Sequence, residues 1–207
     1  MLRYFLSIII FFSFLKTQTI AEYSSIFNNS LTPGILSKKN NSSFSFTHTS
    51  AYSFDAYNNN QTKKVLSSIL LKSGIEFVLG KYTRGTDNFS NIDIRGINYH
   101  IKKKKFGITL HFTSYKHNAY NILDSKPREN GISIHLRFKK KKIKPYLYYG
   151  HINLYNDKPK MEIVSFGVLA KVNRFVLGSY LVIPLEDALN FENDSASYNL
   201  ILGFIVD

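Results

Sequence analysis

The chain contains no cysteine. That excludes a disulfide scaffold, a thiolate metal site, a cysteine nucleophile and the lipid-bearing cysteine of a lipoprotein. It also lacks any apolar run of the roughly twenty residues that a spanning helix needs, so membrane embedding, if there is any, has to be by strands. Specific enzyme signatures are missing: there is no Gly-x-Ser-x-Gly elbow, no His-Glu-x-x-His, no glycine-rich phosphate loop and no EF-hand spacing. Acids are scarce, with 14 Asp and Glu against 27 Lys and Arg, for a formal net charge of +13.

What is present is a period of two. In Phe106 to Tyr115 one face reads Phe106, Ile108, Leu110, Phe112, and the other Gly107, Thr109, His111, Thr113, Tyr115. The next such segment sets Ile132, Ile134, Leu136 and Phe138 opposite Gly131, Ser133, His135 and Arg137. The last carries Tyr198, Leu200, Leu202, Phe204 and Val206 on one side. Strand side chains alternate sides, so each segment has one apolar and one more polar surface. A soluble sandwich alternates in the same way, and alternation alone does not separate the two.

The connections discriminate. β-Branched and aromatic enrichment, punctuated by Gly, Asn, Asp and Lys clusters, predicts ten strands: about 42 to 52, 64 to 72, 75 to 83, 92 to 102, 106 to 116, 131 to 139, 143 to 155, 160 to 172, 175 to 185 and 196 to 206. Tight turns fall at Ser73 and Gly74, Lys103 to Lys105, Lys140 to Lys142, and Asn173 and Arg174. The alternate connections are mostly longer and polar, as in Asp55 to Gln61, His117 to Asn130 and Glu186 to Ser195. Short turns at one end, longer loops at the other and an even strand number are what a bacterial outer-membrane barrel requires. Closure also satisfies every backbone donor and acceptor and leaves no edge, which suits an exported chain without disulfides.

The segment before the barrel agrees. Arg3 precedes the apolar Phe5 to Leu15, and a polar-to-small stretch ends at Thr19, Ile20, Ala21. This is the layout of a secretory signal peptide over 1–21, with cleavage after Ala21, which removes Arg3 and Lys16 and lowers the net charge by two. Residues 22–41, rich in Ser and Asn with Pro33 and Gly34, read as a flexible periplasmic lead or a lumen plug. Residues 42–207 make one domain.

Charge is unevenly spread. The Lys runs at 102 to 105 and 139 to 142, with Lys72, Lys144, Lys171 and Arg174, sit at the tight turns, and ten acids, among them Glu129, sit in or beside the longer connections. A basic rim suits lipid phosphates of the inner leaflet, or simply keeps turns solvated and blocks strand association. A nucleic-acid partner fits export poorly. Tyr52, Tyr155 and Tyr198 toward the loops, and Phe106, Phe138, Tyr146, Phe175 and Phe204 toward the turns, predict two interfacial belts. Tyr82 and Tyr115 have inward parity and line the mouth.

The predicted inward face offers Glu76, Asn98, His100, Thr109, His111, Thr113, His135, Arg137, His151, Asn153 and Ser165. Four histidines on consecutive strands raise a metal or catalytic hypothesis. Polar residues filling a narrow lumen through hydrogen bonds are the commoner arrangement. No catalytic, metal or cofactor residue is therefore assigned. Glu76 and Arg137 are candidates for an interior ion pair.

Over residues 42–207 the chain resembles the superfamily of small bacterial outer-membrane β-barrels, of the OmpX and OmpA transmembrane-domain type. The resemblance lies in the architecture and in the alternating, aromatic-bearing segment Tyr198 to Asp207, which looks like the last strand read by the barrel assembly machinery. Asp207 stands where such proteins usually end in Phe. It implies an all-β, closed antiparallel up-and-down transmembrane barrel of ten strands, or eight if 64–72 and 75–83 pair differently. It further implies a monomer in the bacterial outer membrane whose partners are membrane lipids, lipopolysaccharide and that machinery. The expected role is non-enzymatic: envelope integrity, surface interaction or limited small-solute passage, since open channels need about sixteen strands. The alternatives are a soluble periplasmic lipocalin-like barrel holding an apolar ligand, and a lipid A-modifying barrel enzyme.

Overall fold

A computed structural model describes residues 33–37, 41–53, 62–84, 92–117, 128–136, 143–153, 160–185 and 197–206. The signal peptide, Arg137, Phe138, Tyr155 and Asp207 lie outside them. A short 3-10 turn, Pro33–Leu36, precedes ten strands: β1 (Ser43–Ser53), β2 (Thr62–Leu70), β3 (Ile75–Arg84), β4 (Ile92–Lys102), β5 (Phe106–His117), β6 (Arg128–Leu136), β7 (Ile143–Asn153), β8 (Lys160–Val172), β9 (Phe175–Leu185) and β10 (Ser197–Val206). Each pairs antiparallel with its sequence neighbours, and β1 pairs with β10 to close the barrel. The eight-strand alternative is overturned, because β2 and β3 are separate wall strands in register from Thr62↔Arg84 to Leu70↔Glu76.

The turns explain the register. Gly74 has φ 91° and its N–H donates to Leu71 O at 2.9 Å, while Leu71 N–H donates to Ile75 O at 2.8 Å. Such a left-handed backbone falls to glycine without steric cost. Asn173 (φ 56°), the first of the two residues between β8 and β9, is also left-handed, and asparagine is one of the few side chains that tolerate it. Strand β6, described over Arg128–Leu136, takes in three residues ahead of its predicted start at 131.

The outer face of the wall is apolar, while the interior combines buried polar residues with an apolar cluster that includes Leu66, Val78, Ile163, Leu169 and Ile201. Outward Leu79, Ile134 and Leu202 are 59%, 47% and 57% exposed, whereas inward Ser133 and His111 are 0% and 1%. On β8 the outward apolar face runs from Val164 to Val172. At about 3.4 Å per residue and a tilt of about 40° that is about 21 Å, close to the roughly 25 Å apolar band of outer-membrane barrels. At the closing seam, outward Phe46 stacks on Phe204 with centroids 5.7 Å apart, and Phe44 flanks them at 6.2 Å.

One strand corrects the expected inward set. On β7 the buried face is Tyr146, Tyr148, Gly150 and Ile152, so His151 and Asn153 point outward. His151 faces Glu162 across the strand pair at 3.7 Å. Both parities of β7 are apolar (Ile143, Leu147, Tyr149 against Tyr146, Tyr148, Ile152), so its period does not fix its faces, and pairing with β6 does. Tyr146 is consequently an interior residue and not part of the turn-side belt. The inward expectation for Tyr82 and Tyr115 holds; each is 2% exposed.

Candidate functional site: a sealed polar lumen

Inward residues on six consecutive strands form one hydrogen-bonded chain anchored on Glu76. Its Oε1 accepts from Ser68 Oγ at 2.6 Å and its Oε2 from Asn98 Nδ2 at 3.0 Å. His100 Nε2 lies 2.8 Å from Oε2, and its Nδ1 lies 2.8 Å from Thr109 Oγ1. The carboxylate has only acceptors, which orders the protons outward from it. Ser68 spends its hydrogen on Glu76 and so accepts from Ser45 at 2.6 Å. Asn98 spends its amide on Glu76, so its Oδ1 takes His111 Nδ1–H at 2.9 Å, leaving His111 Nε2 to accept from Ser133 Oγ at 2.8 Å. The chain runs Ser45, Ser68, Glu76, Asn98, His111, Ser133, with His100 and Thr109 as a branch, and every member is buried.

The order Ser133, His111, Asn98 is the geometry of an activated nucleophile: a hydroxyl on a base that a third group orients. In this structure the trio is enclosed. Ser133 is 0% exposed and lies on the inward face, so neither water nor an acyl chain reaches its hydroxyl. The chain therefore meets the hydrogen-bonding demand of a narrow interior. Among the described residues no group of three His, Asp or Glu is arranged to hold a metal.

Toward the loops a second centre forms on Glu129, which the sequence grouped with the loop acids and the structure puts inside β6, 1% exposed. It accepts from Tyr115 Oη and Tyr148 Oη, and buried Lys64 interacts with it electrostatically. Tyr148 joins the two centres, its ring edge-on to His111 with centroids 5.5 Å apart. That ring lies over Gly131 and Gly150, which face each other across β6 and β7, and a Cβ at either would collide with it.

Toward the turns the lumen is filled by the chain itself. Ile35 and Ser37, from the segment preceding the barrel, are 1% and 0% exposed. Lys102 Nζ donates to Gly34 O at 2.8 Å and to Ser37 Oγ, and Lys144 Nζ donates to Ile35 O at 3.0 Å. Two ammonium groups thus hold carbonyls of the 3-10 turn, Gly34 O in addition to its bonds from Ser37. Gly34 packs on Glu76; a Cβ there would lie 2.6 Å from Oε1. Lys102 and Lys144, expected on a lipid-facing rim, are interior ligands of this turn. Of the predicted inward residues, Glu76, Asn98, His100, Thr109, His111 and Thr113 sit on adjoining strands, with His135 and Ser165 also buried. Arg137, the other half of the expected Glu76–Arg137 pair, falls outside the described residues; Glu76 itself bonds Ser68, Asn98 and His100.

No protein-family model matches the chain, and no curated protein matches it. Among solved structures it is similar to the KdgM porin in complex with disordered oligogalacturonate, at 11% identity and TM-score 0.43, covering 78% of this chain and 98% of that one. It is also similar to the N-terminal β-barrel domain of Pseudomonas aeruginosa OprF (15%, TM-score 0.35, 81% and 98%) and to Neisserial surface protein A (16%, TM-score 0.33, 80% and 94%).

Proposed function

We propose that this protein is a non-enzymatic outer-membrane barrel that supports the envelope and presents its loops outside, with a lumen closed to solutes. The observation that carries the reading is the exposed apolar wall: an exterior of roughly membrane height around an interior whose described inward side chains are buried. Buried Ile35 and Ser37, Asn98, His111, Ser133, Glu129 and Tyr148 follow one another from the turn end to the loop end. That filling favours structural and surface roles over small-solute passage. The interior does hold an apolar cluster, including Leu66, Val78, Ile163, Leu169 and Ile201, but a soluble lipocalin-like carrier would also leave Leu79, Ile134 and Leu202 facing water.

The test is cell fractionation, with gel mobility compared before and after heating, followed by planar-bilayer recording of the refolded barrel. A heat-modifiable protein in the outer membrane that gives no conductance steps supports the reading. Recovery in the soluble periplasm removes the membrane assignment, and regular steps remove the closed lumen. The lipid A-modifying alternative predicts altered lipid A on Ser133→Ala; the present reading predicts unchanged lipid A.

A further inference from the structure

The outer wall carries a feature that the lumen does not explain. Across β3 to β7 one row of outward residues reads Leu79, Arg95, Ser114, Arg128, Asn153. Short Ser114 stands between two exposed arginines and leaves a notch. On its turn side the next row supplies Phe77, Ile97 and Phe112. With Asn130, which continues that row on β6, they form a groove of about 530 Å³, mainly apolar below and arginine-edged above. On the loop side the following row is Lys81, Asp93, Lys116. Four exposed cations and one acid thus cluster on β3 to β6, while β9 remains apolar through Leu177, Leu181 and Leu185.

Arginine facing lipid costs about 2–4 kcal/mol at the bilayer midplane and almost nothing near the interface. Arg95 follows the apolar face of β4 on the loop side, and Arg128 lies beyond Ile132 and Asn130 on β6, which puts both at headgroup height. They lie two strands apart, about 10 Å between Cα atoms. Both guanidinium groups therefore reach a single phosphate placed above Ser114, each with the paired donors that suit one. The aromatic and aliphatic rows beneath run in the direction that an acyl chain takes from such a headgroup.

We propose that this groove is a binding site for a phosphorylated lipid A glycolipid of the outer leaflet, one acyl chain lying on Phe77, Ile97 and Phe112. Arg95 and Arg128 hold one phosphate, and Lys81 and Lys116 balance the remaining headgroup charge. The proposal rests on the outer-membrane reading above, because the loop end of such a barrel faces the glycolipid leaflet. A spread of four cations over two rows matches a headgroup with more than one phosphate.

The test uses the refolded full barrel in detergent, with retained lipid read by native mass spectrometry. The probes are bis-phosphorylated lipid A, the same lipid dephosphorylated, and phosphatidylglycerol. Bis-phosphorylated lipid A is expected to bind best, and R95Q/R128Q to weaken it at least tenfold, about 1.4 kcal/mol. R95K/R128K restores part of the loss, since lysine supplies charge without the fork. Ser114→Phe weakens binding with every charge retained, and Lys104→Gln at the opposite rim leaves it unchanged. Heat-modifiable mobility of each variant, recorded without lipid, establishes folding and checks the outer-membrane reading separately. Equal binding by folded R95Q/R128Q, or by dephosphorylated lipid A, overturns the site. Equal binding of phosphatidylglycerol overturns the glycolipid assignment.

Discussion

Glu76→Ala and Glu76→Gln separate a hydrogen-bonded interior from one that is merely filled. Glu76 is 0% exposed and accepts from Ser68, Asn98 and His100. Alanine leaves three buried donors facing a void. Each unsatisfied group costs about 1–3 kcal/mol, so after partial relaxation the loss is about 3–6 kcal/mol. Glutamine fits the same space. Its carbonyl accepts from Asn98 and His100, its amide donates to Ser68, and the Ser68 hydroxyl reverses toward Ser45. What is lost is the charge on the acceptor, about 1–2 kcal/mol. Alanine is therefore expected to be less stable than glutamine by roughly 2–4 kcal/mol. The chain has no tryptophan, so unfolding is best followed in vesicles as the fraction keeping heat-modifiable mobility across a urea series, extrapolated to zero urea. If both variants unfold at the same urea concentration, or if alanine matches the parent, the proton-ordered chain does not hold this interior together.

Ile134→Arg puts a charge on the lipid-facing wall and is expected to cost about 2–4 kcal/mol. A gain in vesicle insertion would contradict a lipid-facing Ile134. K102Q/K144Q removes both ammonium groups from the Pro33–Ser37 turn. Limited proteolysis of the inserted barrel should then cut near residue 33 at least about tenfold faster, equivalent to about 1.4 kcal/mol of released binding, and an unchanged rate would show that packing alone retains the turn.

Most of the wall was legible in sequence because two independent signals agree there. Strands such as β5, β8 and β9 combine a period of two with unambiguous turn residues, and their predicted spans match the observed ones almost residue for residue. β7 failed at the level of faces, since Tyr146 and Tyr148 are as apolar as Leu147 and Tyr149, and only the neighbouring strand decides between the two sets. The lumen's contents were legible as polar, but its bonds were not. Ser68 reaches Glu76 through a hairpin, whereas Asn98 and His111 reach their partners through registers that several turns set jointly. Glu129 was misread because its position looked like loop edge. The inward parity of β6, extended back from Ser133 and Gly131, is the signal that would have found it.

The turn gripped by Lys102 and Lys144 has a mechanical consequence. A barrel wall one strand thick resists stretching along its hydrogen bonds but yields easily to flattening. Lys102 belongs to β4 and Lys144 to β7, three strands apart around the circumference, and both pull on the same few carbonyls. The Pro33–Ser37 segment therefore ties β4 to β7 across the inside of the rim, so that the two strands cannot move apart without breaking these bonds.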